Sequence, residues 1–87
     1  ALVLWKSMCL ATDLWRKGER RADAIRQPMV KLIQGEPLAQ IDYVSIAHPE
    51  TLQELDIIEG SALVSMAVRI GKTRLIDNIT LGRETKR

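Results

Sequence analysis

Apolar residues recur with a helical period over residues 1–17. At about 100° per residue, Val3, Leu4, Met8, Leu10, Ala11, Leu14 and Trp15 share one arc, broken only by the small Ser7. Lys6, Asp13, Arg16 and Lys17 face away from it. Gly18 then stops the helix, and Arg16 and Lys17 complement the negative end of its dipole. A second stripe, Leu2, Trp5 and Cys9, crosses the otherwise polar side at i, i+3, i+7. That stripe is expected to touch either another part of this fold or another chain.

Residues 21–34 carry a second helical pattern, with Ala22, Ile25, Met29 and Ile33 as its inner stripe. Pro28 lies inside it and removes one backbone hydrogen bond, so the pattern predicts a kink or a late start. Gly35 and Pro37 close the segment. The short basic connection makes the two helices antiparallel neighbours. The period then changes. "IDYVSIA" at 41–47 reads as a strand, and "HPETLQEL" at 48–55 as a turn with room for one helical turn after Pro49. "SALVSMAVRI" at 61–70 alternates, placing Ala62, Val64, Met66, Val68 and Ile70 on one face, and "TRLIDNITL" at 73–81 is a third strand. The order α-α-β-β-β is an α+β layout: two antiparallel helices packed on a small antiparallel sheet of about three strands. Residues 1–81 form a single domain in this reading, and "GRETKR" at 82–87 is a polar, fraying tail.

Composition narrows the function classes. A chain of 87 residues holds one domain at most, with a thin core. One cysteine, Cys9, forbids an internal disulfide and favours a reducing compartment; its expected role is packing. One Cys and one His, His48, cannot supply the four ligands of a zinc centre. No apolar run is long enough for a membrane-spanning helix, and Ala1–Trp5 lacks the basic leader of a signal peptide. A net charge of +2 does not argue for nucleic acid, but its distribution is uneven. Residues 1–35 hold seven Lys/Arg against three Asp/Glu, whereas residues 36–60 hold six acids and no Lys or Arg. The basic run "RKGERR" at 16–21 reads as a solvated turn rather than a phosphate site. Trp5, Trp15 and Tyr43 are too scattered for a base-stacking surface.

The segment "VRIGKTRLIDN" at 68–78 contains Gly71-Lys72-Thr73, the ending of a phosphate-binding loop. The first glycine of that motif falls at position 66, which is Met66, and the sequel is strand-like rather than helical. The better reading is a two-residue hairpin, Gly71-Lys72, with glycine supplying positive φ. Ile70 then faces Thr73, Val68 faces Leu75 and Val64 faces Ile79. The same register sets Arg69 opposite Arg74, which requires a carboxylate between them. Asp42, Asp56 and Asp77 have no spacing that brings two together. Ser45, Ser61 and Ser65 lack the positioning signals that would build a triad with His48, which is expected to be an exposed turn residue.

The segments "GEPLAQIDYV" (35–44), "DYVSIAHPETLQEL" (42–55) and "EGSALVSMAVRIGKTRLIDN" (59–78) resemble the C-terminal domain of the pantothenate synthetase, or pantoate–β-alanine ligase, family. "LATDLWRKGERRADAIRQ" (10–27) is similar to the helices that precede it there, so the resemblance covers nearly the whole chain. The family forms a pantoyl adenylate and pyrophosphate from ATP and pantoate; the amine of β-alanine then displaces AMP. The resemblance implies a larger nucleotide-binding N-terminal domain with a His-x-Gly-His motif, over which the C-terminal domain closes as a lid. His48 is the sole histidine here, and the family's Ser-Ser-Arg-Asn segment would fall before Ala1. The resemblance therefore carries no catalytic, ATP-binding or metal-binding residue onto this chain. Gly71, Lys72, Arg74, Asp77 and Asn78 match the family pattern and are read as residues of the hairpin and fold. ATP and magnesium are implied for the whole enzyme, with no cofactor held by this segment. The implied partners are the N-terminal domain, ATP, pantoate and β-alanine, with no nucleic acid and no membrane. A homo-oligomer and a cytoplasmic location are also expected. The alternative is a free-standing interaction or dimerisation module with no catalytic role.

Overall fold

A computed structural model describes residues 2–82. Helix α1 spans Leu2–Arg16 and helix α2 spans Ala22–Gln34; strands β1 (Ala39–Ala47), β2 (Ala62–Ile70) and β3 (Thr73–Leu81) follow. The strands form one antiparallel sheet in the order β1-β2-β3, so the expected α+β layout is the observed one. Leu4, Met8 and Ala11 of α1 are buried, as are Ala22, Ile25, Met29 and Ile33 of α2. They meet Ile46, Ala62, Val64, Met66 and Val68 from the covered face of the sheet. Removing these side chains from water is what holds the two layers together. Among the described residues Ser7 is the one polar residue fully inside; its hydroxyl donates to the Leu4 carbonyl at 2.7 Å.

The helix boundaries follow local chemistry. After α1 the Glu19 N–H donates to the Leu14 carbonyl and the Gly18 N–H to that of Trp15, which satisfies the last turn. The basic turn is more structured than a solvated loop. Arg20 lies 4.1 Å from the centroid of the Trp15 ring, and its guanidinium donates to the Trp15 carbonyl at 2.6 Å. The Ile58 N–H donates to the Arg20 carbonyl and the Ala22 N–H to that of Asp56, both at 2.8 Å. The turn is thereby sewn to residues 56–58, and only Arg16, Lys17 and Arg21 of its basic residues stay exposed. Helix α2 starts at Ala22 and runs through Pro28, so no late start occurs. Tertiary packing on both sides of the proline, by Ile25, Met29 and Ile33, holds the helix continuous.

Three features of the sheet depart from the sequence pattern. Strand β1 begins two residues early, at Ala39. It also carries a bulge: Ile41 faces Val68 and Tyr43 faces Ala67, leaving Asp42 without a partner. The bulge switches parity. Ala39, Ile41, Val44 and Ile46 all pack toward the helices, while Asp42 and Tyr43 both lie on the open face. Lastly, residues 49–51 make the single helical turn for which the segment has room, closed by the Leu52 N–H donating to the His48 carbonyl at 2.9 Å, and the chain then doubles back along β1. The Leu55 N–H donates to the Ile46 carbonyl, the His48 N–H donates to the Gln53 carbonyl, and Glu54 bridges Ala47.

Gly82, which the sequence pattern assigns to the tail, is exposed but lies close against Gly60 on one side. It has φ +85°, and a Cβ there would stand 2.6 Å from the Gly60 carbonyl oxygen and 3.0 Å from the Trp15 ring. The rest of the expected tail, 83–87, lies outside the described residues.

Candidate functional site

The β2–β3 hairpin places the residues singled out from the sequence. Ile70 faces Thr73, Val68 faces Leu75 and Val64 faces Ile79, so Gly71-Lys72 is the two-residue loop. Gly71 has φ +62° and Lys72 has negative φ, the signature of a type II′ turn with glycine first. The Gly71 N–H also donates to the Leu38 carbonyl at 3.3 Å, tying the turn to the start of β1.

Arg69 and Arg74 stand opposite each other on the open face. Asp42 supplies the carboxylate that this pairing requires: Arg74 Nε donates to its Oδ2 at 2.7 Å. The bulge is what turns Asp42 to this side. The hydrogen bond from Arg74 holds the Asp42 carboxyl below its ordinary range, with smaller help from the charges of Arg74 and Arg69. Asp77 lies across the same strand, on the side of α1, and its Oδ1 accepts the Asn78 N–H at 2.8 Å. Gly71, Lys72, Arg74, Asp77 and Asn78 therefore share one hairpin but not one pocket: Arg74 and Asn78 face one way and Asp77 the other.

A second cluster, which the sequence pattern does not announce, centres on Glu54. Its Oε1 accepts the Ser45 hydroxyl at 2.8 Å; its Oε2 accepts the Ile46 N–H at 2.8 Å and an Arg26 N–H at 2.9 Å. Arg26 also pairs with Asp23 one turn earlier on α2. Partial burial pushes the Glu54 carboxyl up, but the Ile46 N–H, the Ser45 hydroxyl and Arg26 together hold it below its ordinary range. Glu54 thus joins α2, β1 and the return segment through one carboxylate.

His48 is half-buried rather than exposed. Its Nδ1 accepts the backbone N–H groups of Glu50 and Thr51, at 3.1 and 3.2 Å, and so caps the turn it opens. This turn holds Leu52 at φ +65° with its side chain exposed. His48, Glu50, Glu59 and Ser61 border a cleft of about 400 Å³ beside Leu55 and Ile57. Among the described residues no hydrogen bond joins His48 to a serine, so no nucleophile–base pair forms there. Asp42, Asp56 and Asp77 stay apart, and no three His, Cys, Asp or Glu side chains come together among the described residues. No helix among them is long and apolar enough to cross a membrane.

Asp42, Glu54 and His48 are thus each engaged within the fold, while the buried Trp15 Nε1 has no hydrogen-bond partner among the described residues. A sequence profile described as Pantoate-beta-alanine ligase matches residues 1–80. The chain is 52% identical over 82 residues to the pantothenate synthetase of Herpetosiphon aurantiacus, covering 93% of this chain and 30% of that protein. It is 51% identical over 83 residues to that of Pelotomaculum thermopropionicum, covering 95% of this chain and 29% of the relative. The crystal structure of pantothenate synthetase from Thermus thermophilus superposes with a TM-score of 0.80 at 28% identity, over 88% of this chain and 28% of that one. The chain thus spans about 30% of the length of the relatives it matches.

Proposed function

The chain belongs to the pantoate–β-alanine ligase family, and from that premise we propose that it is the enzyme's C-terminal, lid-type domain, residues 1–81. The parent reaction is the ATP-dependent condensation of pantoate with β-alanine. Pantoate attacks ATP and releases pyrophosphate, giving a pantoyl adenylate; the β-alanine amine then forms the amide and releases AMP. In this reading the nucleotide, its magnesium ion and the reacting groups are held by a preceding domain, in a reducing, cytoplasmic compartment. The domain described here closes over them, excludes water and completes the pocket, which needs rigidity rather than a nucleophile.

The observation that carries the reading is the match of residues 1–80 to the family, in a fold whose candidate reactive side chains Asp42, Glu54 and His48 are each engaged by protein partners. Asp42 is engaged by Arg74, Glu54 by Arg26 and Ser45, and His48 by its own turn. Gly71, Lys72, Arg74, Asp77 and Asn78 are accordingly fold residues, not catalytic ones. The test is a graft. The Herpetosiphon aurantiacus enzyme with its matching segment replaced by this chain should form pantothenate, while the same enzyme lacking the segment should not. The isolated chain titrated with Mg-ATP should release no saturable heat. A micromolar dissociation constant for Mg-ATP, or a folded graft without activity, would overturn the reading.

A further inference from the structure

Four of the described residues have positive φ. Gly18, Gly71 and Gly82 adopt it freely; the fourth is Leu52, at φ +65°. The single turn at residues 49–51 forces this. The Leu52 N–H donates to the His48 carbonyl at 2.9 Å and the His48 N–H donates to the Gln53 carbonyl at 2.8 Å, so the chain reverses at residue 52. That is the left-handed position that ends a helical turn, where glycine or asparagine is the usual occupant. A leucine there is strained against its own backbone. Its side chain gains little from the domain in return, being 64% exposed. It stands at the rim of an open trough of about 620 Å³ at the β1 edge of the sheet, beside Tyr43 and Leu63. Tyr43 is itself 43% exposed. Arg26 and Glu54, the charges bordering the trough, are paired with each other, and Ser45 donates to Glu54.

We propose that Leu52 is a positioning residue of the ligase: held outward in a strained conformation, it seats this domain on the rest of the enzyme when the domain closes. The proposal rests on the reading of the chain as the lid. Two observations select the occupant. The charges at the trough are answered within the domain, so the surface on offer suits an apolar patch rather than an anion. The chain matches only 30% of the length of its Herpetosiphon relative, so the larger part of that enzyme is tethered to this segment and meets it at high effective concentration. A tethered partner needs only a small contact to hold a closed state, and Leu52 with Tyr43 and Leu63 is of that size. Glycine at position 52 would relax the turn but remove the contact. Strain kept where it serves no packing is the pattern of a residue retained for function. Leu52 touches no reacting atom in this scheme; it acts by holding the closed state that excludes water.

The test sets stability against catalysis. In the 87-residue chain, Leu52→Gly and Leu52→Asn, both at ease at positive φ, should raise the thermal midpoint by about 3 °C. In the Herpetosiphon aurantiacus enzyme carrying this chain as its matching segment, the same substitutions should lower kcat/KM about tenfold. They should also raise the AMP released per pantothenate formed. In a loosely closed site, water takes the place of the β-alanine amine on the pantoyl adenylate and returns pantoate with AMP. Leu52→Met keeps the apolar reach and should rescue most of both losses. A midpoint lowered by Leu52→Gly would mean that the leucine holds its own domain together, and would overturn the proposal. So would graft variants with the wild-type kcat/KM and AMP ratio, which would leave the lid reading standing. A folded wild-type graft without activity would overturn that reading and this proposal with it.

Discussion

The two edges of the sheet are finished in opposite ways. Along β1 the chain returns on itself: Leu55 bonds Ile46, Glu54 bridges Ala47, and the Glu54 carboxylate takes the Ile46 N–H that a bare edge would expose. Along β3 no bridge forms among the described residues, and Ile76 at its centre is 60% exposed. An uncovered nine-residue edge is an invitation to further pairing, and natural proteins blunt such edges with charge. Here Arg74, Asp77 and the adjacent Lys72 supply that charge. The comparison teaches that one edge is sealed by covalent continuity and a half-buried hydrogen-bond cluster, the other only by electrostatics. Substitutions should therefore be felt strongly where the chain closes on itself and weakly along the open strand.

The largest effect is expected where β3 ends. Gly82→Val introduces a Cβ against the Gly60 carbonyl at a φ that a β-branched residue resists, so it should destabilise the domain by about 3 kcal/mol in urea unfolding. A loss under about 1 kcal/mol would mean that the end of β3 is as free as its edge. At the sealed edge, Glu54→Ala leaves the Ile46 N–H and Arg26 without their acceptor. A loss of about 2 kcal/mol is expected, together with faster amide exchange at Ile46 and Leu55 but not in β3. The turn between β2 and β3 is smaller in effect. Gly71→Val should cost about 1 kcal/mol through φ alone, because a Cβ added there would meet no atom within 4 Å, and Lys72→Ala should change little.

Acid should distinguish the edges further. Asp42 and Glu54 both have carboxyls held below their unfolded values, so both contribute stability that is complete above the ordinary carboxylate range. That contribution is lost as pH falls through the lowered values. Glu54→Gln and Asp42→Asn should each flatten the acid limb of a stability–pH profile. The smallest effect is expected from Ile76→Lys on the open edge, within about 0.5 kcal/mol of wild type by thermal unfolding. A large loss there would show that the β3 edge is covered in solution.

Much of this architecture was legible because it rests on short-range pattern. The inner stripes of both helices, the alternation of β2 and the Gly71-Lys72 hairpin follow from periods of 3.6 and 2 and from one residue able to adopt positive φ. The opposed pair Arg69 and Arg74 even required a carboxylate before Asp42 could be named. Glu54 was not legible: an acid in "TLQEL" has no local pattern marking it as the clamp of a distant strand edge. Arg20 read as part of a charge run because its partner, the Trp15 ring, is supplied by the bend of the chain.

Sequence by itself, then, determined the element order, the buried faces, the register of β2 with β3 and the family to which the chain belongs. Each depends on neighbours within a few residues or on the order of residue types. Only the tertiary structure decided the bulge at Asp42, the continuity of α2 through Pro28, the return of residues 52–55 along β1 and the close seat of Gly82 against Gly60. Those outcomes compare the energies of contacts between residues far apart in the chain. Local propensity enters such a comparison as one small term among several larger ones.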